Sequence, residues 1–165
     1  MNKFRRRCIQ FFTAAAPMLS IVAVHAQTIP KQGSVDATFT AFWRDIKEAS
    51  VGSDDSVYLT EATMLFTSNN KNTLMHNVTA HCIESGFSAG PANGYCVFTD
   101  KDGDNFVESF NHASGATSGK ALMMFGTGKY KGIKGDFDWQ QVFKLPGDKG
   151  AYNFVGKTTG SYRIE

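Results

Sequence analysis

From residue 27 onward, apolar and polar residues alternate with a period of two, interrupted by clusters of Gly, Asn, Asp and Pro. Successive side chains of an extended strand point to opposite faces, so this pattern suits half-buried strands and not helices. Val57 to Phe66, Leu74 to Glu84, Tyr95 to Thr99, Asn105 to Phe110, Lys120 to Phe125, Asp136 to Lys144 and Ala151 to Ile164 read as strands. Ala37 to Ile46 supplies another, although Trp43 to Glu48 could also turn helically. Gln27 to Ser34 reads as an extended arm, Ser50 to Ser56 as a polar loop, and Pro91-Ala92-Asn93-Gly94 as part of a Gly- and Ser-rich loop. Asp102-Gly103, set between two alternating runs, is a hairpin signal because Gly accepts the positive φ of a tight turn. About eight antiparallel strands with turns between them predict a barrel or a sandwich.

The first 26 residues obey a different rule. Lys3, Arg5, Arg6 and Arg7 precede a mostly apolar run from Cys8 to Ala23, and Val24-His25-Ala26 offers the small residues of a cleavage site. This is the layout of a secretory signal peptide, with an apolar run too short and interrupted to span a bilayer. The expected mature chain is a single domain, residues 27–165, exported to a periplasm or secreted. Without the leader, 13 Lys and Arg face 15 Asp and Glu, a net charge of −2. A nucleic-acid partner therefore has no electrostatic support, and no later segment is long and apolar enough for membrane insertion by a helix.

Cys82 and Cys96 remain after cleavage, 14 residues apart. In an oxidising compartment a disulfide between them is the expectation, with a pair of buried free thiols as the alternative. No metal site is expected, since neither a CxxC nor a paired-histidine spacing accompanies them. Asp100-Lys101-Asp102-Gly103-Asp104 has the carboxylates of a calcium loop, but its Gly is fourth instead of sixth and its flanks read as strands. A polar hairpin turn is expected there. Ser114 to Ala121 misses the spacing and the final hydroxyl of a phosphate loop. No serine sits in a Gly-x-Ser-x-Gly setting. His76, His81 and His112 read as surface or hydrogen-bonded strand residues.

Two motifs carry a family resemblance. Tyr95-Cys96-Val97-Phe98-Thr99-Asp100-Lys101-Asp102-Gly103-Asp104, followed by Gly126-Thr127-Gly128-Lys129-Tyr130-Lys131-Gly132-Ile133-Lys134-Gly135, resembles the allene oxide cyclase barrel-like group of exported bacterial proteins. The resemblance spans residues 55–145 and implies an all-β fold, an eight-stranded antiparallel closed barrel of calycin type with an interior cavity. In the plant cyclases that cavity folds a reactive fatty-acid epoxide for ring closure without metal or organic cofactor, so no cofactor is implied here. Related barrels often form homo-oligomers. No plant active-site residue is carried over to a position of this chain.

Alternate side chains of a small barrel enter its lumen. Phe106, Glu108 and Phe110 share one face, as do Phe137, Trp139, Gln141 and Phe143, and as do Val57, Leu59 and Glu61. If these faces point inward, Phe106, Phe110, Trp139 and Gln141 are the expected ligand-binding residues. Glu61 and Glu108 are then the candidate proton donors, because burial raises a carboxyl pKa. The leading functional reading is a barrel enclosing a small apolar or amphipathic ligand. Its rivals are a cofactor-independent isomerase or cyclase on a lipid-like substrate, and a structural or interaction barrel with a filled interior.

Overall fold

The computed structural model describes residues 29–70 and 74–165; the expected leader and cleavage site lie outside them. Eight strands follow one another: β1 (Gln32–Val51), β2 (Asp55–Thr67), β3 (Val78–Phe87), β4 (Pro91–Thr99), β5 (Asn105–Ala113), β6 (Ser118–Gly126), β7 (Ile133–Leu145) and β8 (Ala151–Ile164). Each pairs antiparallel with the next, and β1 pairs with β8 from Gln32↔Arg163 to Arg44↔Ala151, which closes the sheet into a barrel. The fold is thus an all-β closed barrel, with one short 3-10 turn at Gly128–Tyr130 between β6 and β7.

The boundaries differ from expectation in five places. Residues 32–34 of the expected arm begin β1, and the helical alternative for Trp43 to Glu48 gives way to strand, with a bulge between Asp45 and Lys47. The polar loop at 50–56 shrinks to a tight turn around Gly52 (φ 74°). Leu74 and Met75 are buried in the turn that precedes β3. Pro91 to Gly94 is strand, because the lumen opposite needs small side chains: Ala92 and Gly94 face inward in the same row as Cys96 and Phe98.

The inward rows fill one end of the barrel. Phe39, Phe66, Phe98, Phe106 and Tyr130 form a relay of rings with successive centroids 5.0, 5.0, 4.6 and 4.9 Å apart. Offset and edge-on contacts at such spacings are favourable for aromatic quadrupoles. Below the relay the two motifs behind the family resemblance lock together. Asp100 accepts hydrogen bonds from the Tyr130 hydroxyl at 2.7 Å and the Lys129 ammonium at 2.6 Å, while Lys129 also reaches Asp102 at 2.5 Å. Burial pulls the Asp100 carboxyl upward, but the bonds from Lys129, Tyr130 and the Asp102 backbone outweigh it and hold the group below its ordinary value. Gly103 (φ 85°) makes the expected hairpin between β4 and β5. The acidic turn and the glycine-rich stretch therefore act as a clasp under the closed end.

Cys82 and Cys96 are directly opposite each other on β3 and β4, face inward, and are joined as a disulfide. Closing a loop of this length restricts the unfolded chain more than the folded one. Replacing both cysteines by Ala should lower unfolding free energy by about 3 kcal/mol in chemical denaturation, with the barrel's circular dichroism retained.

Candidate functional site

The other end of the barrel is open. A cavity of about 210 Å³ lies between the ring relay and the mouth, where the β5–β6 and β7–β8 turns contribute Ala116 and Gly150. Its walls are mostly apolar, from Phe39, Trp43, Met64, Phe98, Phe110, Trp139 and Phe154. Space for the large rings comes from glycines on neighbouring strands. A Cβ at Gly94 would collide with the Phe110 ring and come 2.7 Å from the Ile83 carbonyl; one at Gly119 would sit 2.8 Å from the Trp139 indole. Ring and glycine occupy one slot between them, which holds Phe110 and Trp139 against the wall.

The expected site residues divide. Glu108, Phe110, Trp139 and Gln141 line the cavity together. Phe106 faces inward as expected but is fully buried in the ring relay and does not reach the cavity. Glu61 is on the outer surface: Ala62, Met64 and Phe66 take the inward positions of β2, so Val57, Leu59 and Glu61 belong to the other face. There Glu61 forms an ion pair with Arg44, and His81 stands 3.8 Å from it. Phe143 also leaves its row, since a bulge between Gln141 and Phe143 reverses the alternation and turns its ring out, 52% exposed.

Glu108 sits beneath Phe110 on β5, opposite Cys96 on β4 and Met123 on β6. It is 8% exposed and has no hydrogen-bond or ion-pair partner among the described residues. Desolvation, unrelieved by any donor, pushes its pKa from an ordinary 4.5 up to about 8. At neutral pH it is a carboxylic acid, able to donate one hydrogen bond or one proton into the cavity. Thr60 lines the same cavity with its hydroxyl buried and unpartnered.

Nearer the mouth lies a polar pair that joins His112, expected as a surface or hydrogen-bonded strand residue, to Glu84, for which the sequence suggests no role. His112 Nε2 is 3.0 Å from Glu84 Oε2, and its Nδ1 is 2.8 Å from the Ala113 carbonyl. Both neighbours accept, so both ring nitrogens are satisfied only when both carry protons. The Glu84 hydrogen bond accordingly raises the His112 pKa above its ordinary value against the opposing pull of burial. Tyr58 donates to the other Glu84 oxygen at 3.3 Å; burial first, then the Glu84 charge, pushes its pKa up to about 12. The His112 ring is parallel to Phe110 (6.4 Å) and meets Trp139 edge-on (5.6 Å), while Trp43 meets Phe110 edge-on (6.1 Å). The Tyr152 hydroxyl donates to Gln141 at the rim. A signal for His112 was present, since it continues the Phe106, Glu108, Phe110 row by one more step of two. Glu84 likewise follows Ala80 and Cys82 on β3.

Among the described residues no three His, Cys, Asp or Glu side chains gather as a metal-binding set. The site instead offers general acid–base groups within an apolar wall.

No family model matches the chain, and no curated protein matches it. Among solved structures it is similar to the pterocarpan synthase dirigent protein PsPTS1, at 10% identity and a TM-score of 0.49, over 84% of this chain and 99% of that one. It is also similar to the pterocarpan synthase dirigent protein GePTS1, at 9% identity and a TM-score of 0.46, over 93% of this chain and 100% of that one. At these identities the likeness concerns the fold alone.

Two titrations follow from the geometry. Glu108 holds its proton more tightly folded than unfolded, so its contribution to stability is complete below about pH 4.5 and is lost as pH rises through about 8. Chemical denaturation across that window should show Glu108→Gln gaining on the native protein as pH rises, by up to about 1.4 kcal/mol per unit, and matching it near pH 4. His112 also has a raised value, so its pair with Glu84 stabilises below pH 6.5 and weakens as pH climbs through the folded-state value. In NMR titration the His112 ring should lose its proton later than a free imidazole, and Glu84→Gln should bring it earlier.

Proposed function

We propose that this protein is an exported barrel that binds a small amphipathic ligand in its lumen. The observation that carries the reading is the cavity of about 210 Å³ containing an unpartnered buried carboxyl, Glu108. Leaving a polar group without a partner in an apolar site costs stability, and a ligand that supplies the partner recovers it. Aromatic walls with a few directional polar groups are the usual composition of a small-molecule site. Trp43, Phe110 and Trp139 supply the contact area, and Glu108, Gln141 and the Glu84–His112 pair supply orientation. A filled interior would serve a purely structural barrel better than this one.

Export is supported by the cationic and apolar N-terminal run and by the disulfide, which suits an oxidising compartment. The two motifs of the clasp support kinship with the allene oxide cyclase barrel-like group.

A second reading, a cofactor-independent isomerase or cyclase, is favoured by one specific feature. Glu108 retains its proton at neutral pH inside a desolvated cavity, as a general acid must. Protonation of a strained oxygen or a double bond would then begin the rearrangement, with the walls setting the substrate's conformation.

Native mass spectrometry of gently purified protein should reveal a retained small molecule, and Trp139→Ala should reduce its occupancy at least tenfold. A bare polypeptide mass, together with tryptophan fluorescence unmoved by small arenes, would overturn the binding reading. Turnover of a reactive epoxide that Glu108→Gln abolishes, with Trp139 fluorescence showing that the variant still takes up the epoxide, would establish the second reading over the first.

A further inference from the structure

The charges around the cavity are uneven in a way that selects among ligands. Its lining carries three carboxyl groups, Asp45, Glu84 and Glu108, and no Lys or Arg among the described residues. Its one cationic side chain, His112, is already committed to the Glu84 carboxylate and the Ala113 carbonyl. Lys144, at the mouth end of β7, lies 5.0 Å from the centroid of the Tyr152 ring. An anionic headgroup inside the lumen would therefore meet carboxyl groups and find no free cation. A buried charge without a partner is strongly unfavourable, so carboxylates and phosphates are poor occupants.

The same lining suits a positive charge. The faces of Trp43, Phe110 and Trp139 present the negative side of their quadrupoles to a cation lying over them. Glu108 is buried without a partner, and the Thr60 hydroxyl offers a further unpartnered acceptor on the wall. The size of the cavity limits the occupant. An apolar cavity of about 150 Å³ holds a benzene ring, so about 210 Å³ holds a ring with a short side chain.

We propose that the lumen is a seat for a compact arylalkylammonium ion, with its ring among Trp43, Phe110 and Trp139 and its ammonium against the Glu108 carboxylate. The proposal rests on the reading of the lumen as the ligand site and names the chemical class that site takes. The ammonium supplies the donors that Glu108 lacks, and on binding the carboxyl gives up its proton to solvent. Because that proton must leave, affinity for the cation rises with pH until Glu108 is ionised in the empty barrel as well. The other titratable groups lining the cavity are Asp45, Glu84, His112 and Tyr152, and Tyr58 is hydrogen-bonded to Glu84. Of these, His112 has its pKa raised by the Glu84 hydrogen bond, and its loss of charge as pH climbs acts in the same direction.

The test is calorimetric titration of the full mature chain with three matched probes: 2-phenylethylammonium, 2-phenylethanol and phenylacetate. At pH 8 the ammonium should bind at least tenfold more tightly than the alcohol, with phenylacetate weakest. From pH 6 to pH 8 ammonium affinity should rise by about fiftyfold, with about one proton released per ion bound at pH 6 and about half of one at pH 8. Glu108→Gln should lose at least thirtyfold for the ammonium and less than threefold for the alcohol, the latter result showing an intact pocket. Alcohol binding as tight as ammonium binding, or a Glu108→Gln barrel that keeps its ammonium affinity, overturns the cation assignment and leaves the lumen as a neutral-ligand site. Failure of all three probes, with Trp139 fluorescence unmoved, overturns both this proposal and the lumen reading beneath it.

Discussion

Several of the large inward rings in this barrel lie in gaps that glycines on neighbouring strands leave open. A closed sheet of eight strands encloses a limited volume, which side chains from all the strands must share. Phe110 lies over Gly94, Trp139 over Gly119, Phe39 over Gly156 and Phe137 over Gly160, so closely that a Cβ at each glycine would strike the ring. These pairings let aromatic side chains lie along the wall instead of meeting at the axis. At the closed end the rings then touch in a continuous relay. Towards the mouth, where Trp139 and Phe110 are held back, a cavity stays open between them and Trp43.

The two ends handle their carboxyl groups in opposite ways. Asp100 is buried but receives hydrogen bonds from Tyr130, Lys129 and the Asp102 backbone, so its charged form is favoured. Glu108 is buried at least as deeply and receives none, so its neutral form is favoured. The difference lies in the surrounding donors, since the two side chains have almost the same intrinsic acidity. One carboxyl consequently belongs to a structural clasp and the other remains chemically available. Glu84 is intermediate: Tyr58 and His112 engage it, yet it still borders the cavity.

Much of the fold could be read from local pattern, because strand alternation and turn chemistry act over a few residues. The Asp102-Gly103 hairpin and the β5 row through Glu108 and Phe110 are legible in this way, whereas the Cys82–Cys96 disulfide is expected from the oxidising compartment instead. The errors occurred where local pattern was ambiguous. Val57 to Phe66 is apolar on both faces, with Leu59 and Leu65 on one and Met64 and Phe66 on the other, so alternation alone did not indicate which face turned inward. Phe143 was misplaced because a bulge inserts one residue and inverts the pattern beyond it. Pro91 to Gly94 reads as a loop by composition, yet it is strand because the rings opposite require small neighbours.

Residue order alone dictated that this chain would form many short strands with a cysteine pair among them, since period-two alternation and glycine turns need no distant partner to be recognised. It also placed Glu108 between two aromatic residues on one strand face. Closure of β1 on β8 decided which face became the interior, and with it the exclusion of Glu61 and the meeting of Glu84 with His112 across 28 residues of chain. Those outcomes depend on register around the whole circumference. Each strand's inward face is set only once its neighbours on both sides are in place.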